Sequence, residues 1–159
     1  MKAEEIKTIV VIGAGAMGQQ IAMNTVMNGR EHSYQVILCD SFEGAIGKAE
    51  KWASDYLSGR VAKGRLTQEE ADKIADCLTI TKDVDTAVSE ADFIIEAIIE
   101  NLEIKRELFR KISRICRPDA VLGTNSSNIV SSRLADVTVN PERLLNIHYF
   151  NPALVMQLV

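Results

Sequence analysis

Residues 8–27, TIVVIGAGAMGQQIAMNTVM, constrain the fold more than any other stretch of this 159-residue chain. The apolar run Ile9, Val10, Val11, Ile12 ends in Gly13-Ala14-Gly15-Ala16-Met17-Gly18 and passes at once into Ile21, Ala22 and Val26 at helical spacing. The pattern predicts strand, glycine turn and helix. Each glycine has a physical reason: Gly13 for the tight turn, Gly15 so that backbone can approach a pyrophosphate, Gly18 so that helix packs on strand. Phosphates would then meet the turn and the first helical residues, Gly13 to Gly18 with Ala14, Ala16 and Met17 between, at the positive end of the helix dipole. A glycine-rich turn without a ligand has the same letters; the flanking strand and helix favour a dinucleotide site.

Tyr34 to Asp40 reads as a second strand. Asp40 lies 22 residues past Gly18, where a carboxylate can accept hydrogen bonds from the ribose hydroxyls of an adenosine. Ser41 follows and no arginine appears until Arg60, so a 2′-phosphate would be repelled and NAD is expected over NADP. Asp40 could also cap the next helix, and the two roles are compatible.

The remaining pattern repeats the alternation. Apolar spacing from Phe42 to Lys63 predicts a long helix, Gly64-Arg65-Leu66 breaks it, and Thr67 to Glu70 has the form of a capping box that starts a second helix ending near Cys77. A parallel crossover needs only about a dozen residues, so this helical hairpin is an insert. Strands follow at 78–81, 91–99, 120–124 and 144–148, with a helical turn at 83–89, a helix at 102–116 and a short helix near 131–135. Six strands alternating with helices give an α/β fold: a Rossmann-type, doubly wound, mostly parallel sheet with the hairpin inserted after the second strand.

Ligands in such sheets bind at the carboxyl ends of the strands. With strand order 3-2-1-4-5-6, the loops beside the glycine turn hold Glu96 and Glu100, then 124–127, then His148 to Pro152. His148 is the natural general base, since imidazole titrates near neutral pH; a histidine at a strand end can equally be structural. Ser127 could orient a substrate hydroxyl, or its loop could merely cap the next helix. A serine and a histidine raise acyl transfer as well, but the GxSxG elbow is missing.

Bulk properties narrow the class. The net charge is −4 with dispersed basic residues, which suggests neither a nucleic-acid nor a membrane surface. No window approaches the ~18 apolar residues of a membrane span, and the N-terminus has no signal or transit pattern. Three widely spaced cysteines, Cys39, Cys77 and Cys116, suggest free thiols in a reducing compartment. A cytoplasmic protein is expected.

GAGAMG at 13–18, IIENLEIK at 98–105, TNSSN at 124–128 and HYFNPALVMQLV at 148–159 together closely resemble the NAD-binding domain of the 3-hydroxyacyl-CoA dehydrogenase family, over nearly the whole chain. The resemblance implies reversible oxidation of an (S)-3-hydroxyacyl-CoA to the 3-ketoacyl-CoA with NAD. It implies that His148 takes the hydroxyl proton and Ser127 hydrogen-bonds the substrate oxygen. Glu100, Lys105, Ser127 and Asn151 are implied cofactor contacts; Lys63, Lys105 and Ser127 are implied contacts of coenzyme A. For Lys63 a solvated helix end, and for Lys105 an exposed lysine on the first helical turn, are the plain alternatives. Ser126-Ser127-Asn128 departs from the family's Thr-Ser-Ser.

The resemblance also implies a glutamate immediately after VMQLV, pairing with the histidine, and then a helical domain that carries most of a dimer interface. Residues 1–159 are therefore expected to be the NAD-binding domain of a longer homo-oligomeric enzyme, able to bind NAD but poorly active alone. Two further readings stay open: an NAD-binding sensing or structural domain without turnover, and a dehydrogenase of free hydroxy acids.

Overall fold

The computed structural model describes residues 3–32, 34–156 and 159. Six parallel strands, β1 (Thr8–Ile12), β2 (Gln35–Cys39), β3 (Leu78–Thr81), β4 (Phe93–Glu96), β5 (Val121–Thr124) and β6 (Leu144–Asn146), form one sheet in the order β3-β2-β1-β4-β5-β6. Alternation along each strand divides the core. Ile9, Val11, Val36 and Leu38 join Ile21, Ala22 and Met23 of α1 (Ala16–Asn28) and Ile46 and Ala49 of α2 (Glu43–Ala62) on one face. Val10, Ile12, Ile94 and Leu122 meet α4 (Val84–Glu90) and α5 (Leu102–Ile115) on the other. A sheet covered on both faces needs such nearly continuous apolar strands.

The hairpin insert is α2 followed by α3 (Gln68–Asp76), which begins with the capping box expected at Thr67 and Glu70. Leu57, Leu66, Ala71 and Ile74 seal it onto the α1 face.

Several elements differ from their sequence expectation. The strand expected at 91–99 pairs only over Phe93–Glu96; Ala97, Ile98 and Ile99 leave the sheet and line a cavity at its carboxyl edge. The last strand stops at Asn146, so His148 lies beyond it. The turn at 83–89 is a true helix, and the short helix near 131–135 is a pair of 3-10 turns, Ser131–Arg133 and Ala135–Val137.

At the carboxyl ends of the strands, five backbone hydrogen bonds run in a row across the sheet. Asp40 N–H donates to Thr81 O, Gly13 N–H to Cys39 O, Ala97 N–H to Ile12 O, Asn125 N–H to Glu96 O and Ile147 N–H to Thr124 O. Each of these loops is thereby anchored to the strand next door at its first residue.

Candidate active site at the carboxyl edge of the sheet

The glycine turn has the geometry that its sequence requires. Gly13 has φ +108°, and a Cβ on it would lie 2.6 Å from Ala97 O; a Cβ on Gly18 would lie 1.7 Å from Gly13 O. Gly15 is different, because a Cβ there would meet nothing within 4 Å. Gly15 is also the N-cap of α1 and offers its N–H groups no side-chain acceptor. An open approach over backbone donors at the start of a 13-residue helix is what a diphosphate needs.

Asp40 closes the other side of the turn. Its Oδ2 accepts from Ala14 N–H at 2.9 Å and its Oδ1 from Phe42 N–H at 2.9 Å. Each oxygen keeps a lone pair for a ribose hydroxyl, so Asp40 organises the loop and can still serve a ligand. Ser41, Val84, Ile98, Ile99, Ile104 and Leu108 continue from there around a cavity of about 700 Å³, sized and lined for an adenosine. Cys39 is buried beneath; burial, then the charges of Asp40 and Asp83, push its thiol up to about 12, so it stays protonated.

Between β4 and β5 sits an ionic cluster. Lys105 Nζ lies 2.5 Å from Glu96 Oε1 and 3.3 Å from Glu100 Oε2. Thr124 Oγ1 donates to Glu96 Oε2 at 2.6 Å, and Ile98 N–H to Glu96 Oε1 at 2.8 Å. Lys105 is 1% exposed and Glu96 0%. Lys105 is therefore no exposed lysine, and its ammonium is enclosed between two carboxylates instead of reaching outward to coenzyme A. Its place in the stripe Lys105, Phe109, Ile112, Cys116, which faces the core, was the overlooked signal, as was Glu96 within the apolar run FIIEAII.

Glu100 links this cluster to the loop after β5: it accepts from Ser126 Oγ and, at 3.1 Å, from Asn128 N–H. Burial raises its carboxyl pKa, but these two bonds and Lys105 outweigh that and hold it below the ordinary glutamate value. Ser126 in turn accepts from Ile129 N–H at 2.8 Å. Ser126 is thus the structural serine of the pair. Ser127 beside it is exposed, with no hydrogen-bond partner among the described residues.

His148 stands across the loop, half-buried, its Nδ1 3.1 Å from the carbonyl oxygen of Asn125. A carbonyl only accepts, so the ring donates from Nδ1, and in its neutral form it then keeps a lone pair on Nε2. The Phe150 ring meets the imidazole edge-on at 5.1 Å. Beyond it the chain folds back over α1, where Asn24 Nδ2 donates to Ala153 O and Tyr149 joins the core. Asn151 is exposed on this return; Gln157 and Leu158 of the sequence motif lie outside the described residues.

Lys63 lies apart from this loop, at the C-cap of α2. It lines a cleft of about 480 Å³ with Arg60, Arg65, Asp55, the stacked pair Trp52 and Tyr56, and Pro152, Leu154 and Val155 of the return segment. Among the described residues there is no cluster of metal ligands and no helix long and apolar enough to cross a membrane.

The family described as the NAD-binding domain of 3-hydroxyacyl-CoA dehydrogenase matches residues 8–159. The chain belongs to that family. Among relatives of this NAD-binding domain, a 3-hydroxyadipyl-CoA dehydrogenase of Escherichia coli is 38% identical over 97% of this chain and 31% of its own length. A probable 3-hydroxybutyryl-CoA dehydrogenase of Bacillus subtilis is 35% identical over 98% of this chain and 52% of its own. The crystal structure of a 3-hydroxybutyryl-CoA dehydrogenase from E. coli superposes with a TM-score of 0.89 at 37% identity, covering 96% of this chain and 31% of that one. The chain thus spans 31–52% of the length of these relatives. NAD is the cofactor of this domain family, and the open face of Gly15 together with Asp40 fits it.

Proposed function

We propose that this chain forms the cofactor-binding half of an enzyme that interconverts (S)-3-hydroxyacyl-CoA and 3-ketoacyl-CoA, with His148 as the general base. The observation that carries the reading is the imidazole itself: its Nδ1 lies 3.1 Å from Asn125 O, an acceptor, which in the neutral ring leaves Nε2 able to take a proton at the same sheet edge as the glycine turn. NAD supplies the hydride acceptor when bound. His148 removes the hydroxyl proton through Nε2, and Ser127 donates to the substrate oxygen. Glu100 and Asn151 are the cofactor contacts on the nicotinamide side, with Lys105 holding Glu100 from behind. Lys63, with Arg60 and Arg65, is suited to coenzyme A phosphates, and this basic cleft favours a thioester of coenzyme A over a free hydroxy acid.

A second module outside residues 1–159 completes the site in this reading and carries the contacts of a homo-oligomer; Val155, Met156 and Val159 offer it an apolar surface. Free cysteines suit a reducing compartment such as the cytoplasm.

The test is His148→Gln in the longer protein, assayed with acetoacetyl-CoA and NADH. Turnover falls about 10²–10⁴-fold, the worth of a general base, while NADH binding followed by fluorescence is retained. Unchanged turnover refutes the assignment. NADH binding without turnover in the unmodified longer protein would favour a sensing domain.

A further inference from the structure

We propose that the ion pair of Lys82 and Glu43 is a second determinant of the preference for NAD over NADP, acting beside Asp40 by withholding Lys82 from a 2′-phosphate. The inference rests on the reading of Gly15 and Asp40 as the adenosine end of an NAD site and concerns which dinucleotide that end admits.

Along the chain Asp40 has no cation beside it, since Ser41, Phe42, Glu43 and Gly44 follow. The fold brings one there. Strands β2 and β3 pair in parallel with Cys39 opposite Thr81, and Asp40 N–H donates to Thr81 O at 3.2 Å. The next residues of the two strands are Asp40 and Lys82, whose backbones therefore lie about 4.8 Å apart, one strand spacing. Both line the adenosine cavity. The ammonium of Lys82 is already engaged: Nζ lies 2.9 Å from Oε2 of Glu43, the first residue of α2. This pair bridges the end of β3 to the start of α2, beside the turn that Asp40 begins.

The consequence is selection by charge. A ribose hydroxyl needs an acceptor, which Asp40 provides. A phosphate monoester in the same place brings about −1.5 to −2 charges at neutral pH and needs cations. Lys82 is placed to supply one, as lysines do for phosphates. A 2′-phosphate gains it only by drawing it off Glu43, and then faces two uncompensated carboxylates, Glu43 and Asp40. The rest of the rim gives no relief: Lys111 is paired with Asp85 at 2.5 Å, and Asp83 adds a negative charge while its Oδ1 accepts from Thr86 N–H. Asp40, Glu43, Asp83 and Asp85 thus outnumber Lys82 and Lys111 at the adenosine end, which suits an uncharged ribose. Lys82 and Glu43 are both exposed, so their pairing contributes little to stability; its effect falls on the ligand.

The test measures the dissociation constants of NADH and NADPH in the longer protein by nucleotide fluorescence and reads their ratio. Glu43→Gln releases Lys82 and removes one negative charge, and the preference for NADH over NADPH falls about fivefold, the upper worth of an exposed ion pair. Glu43→Gln combined with Lys82→Met restores most of the preference, because NADPH gained its affinity through the ammonium. Asp85→Asn, which releases Lys111 from its own pair instead, moves the preference less than Glu43→Gln does. All these side chains are exposed, so the fold tolerates the changes. An unchanged preference in Glu43→Gln overturns the proposal. A fall that survives Lys82→Met, or an equal fall in Asp85→Asn, overturns it as well, because the total charge of the rim would then select without the pair. Failure of the nucleotide-site reading is seen separately, as NADH that does not bind the unmodified protein.

Discussion

Gly15 and Gly18 differ sharply in the side chain that each tolerates. A methyl group on Gly18 would overlap Gly13 O, whereas one on Gly15 would enter open space over the helix N-terminus. Gly18→Ala should therefore unfold the chain at lower urea, while Gly15→Ala should leave the urea midpoint in place and weaken NADH binding by tenfold or more, about 1.4 kcal/mol. Equal loss of binding and stability in both variants would refute the division. Lys105 gives the complementary case, a residue whose worth is set by burial. Lys105→Met leaves Glu96 charged and enclosed, which costs about 3–5 kcal/mol; adding Glu96→Gln should recover most of it, measured by urea unfolding. The glycines were legible in the sequence because a turn of fixed shape repeats at fixed spacing. Lys105 was harder to read: its helical spacing places it on the core-facing stripe, but the partners that let a lysine stay there, buried Glu96 and partly exposed Glu100, are brought to it only by the fold.

At the level of elements, the loop after β5 depends on a charge carried by the loop after β4. Glu100 holds Ser126 and Asn128, and its carboxyl lies below the ordinary glutamate value when folded. Its contribution is complete above the unfolded value, about 4.3, and is lost as pH falls through the lower folded one. Glu100→Gln should flatten the acid limb of a urea-midpoint against pH plot in that window, and identical limbs would refute the assignment. Helix α5 shows how an element can be recognised and still be misread: its length agrees with its apolar spacing, yet its core-facing stripe runs through Lys105 and leaves Ile104 44% exposed. Strand ends behaved in the same way. The apolar letters at 91–99 extend past Glu96 because Ile98 and Ile99 face a ligand cavity, and ligand-facing and core-facing isoleucines have the same hydrophobicity.

For the whole molecule, strand order, parallel pairing and the helical insert were all readable, since alternation of strand and helix leaves few topologies for a chain of this length. The contact between His148 Nδ1 and the Asn125 carbonyl escaped sequence reading, because every residue possesses a carbonyl. The row of hydrogen bonds along the strand ends sets a distance as well as an arrangement. Asp40 follows β2 and His148 follows β6, four strand spacings away, which amounts to roughly 19 Å at about 4.8 Å per strand. Only a ligand drawn out straight and laid at right angles to the strands can touch both. An adenosine phosphate held at the Asp40 end therefore stops short of the imidazole, and only the far end of a dinucleotide drawn out to its full length comes beside it.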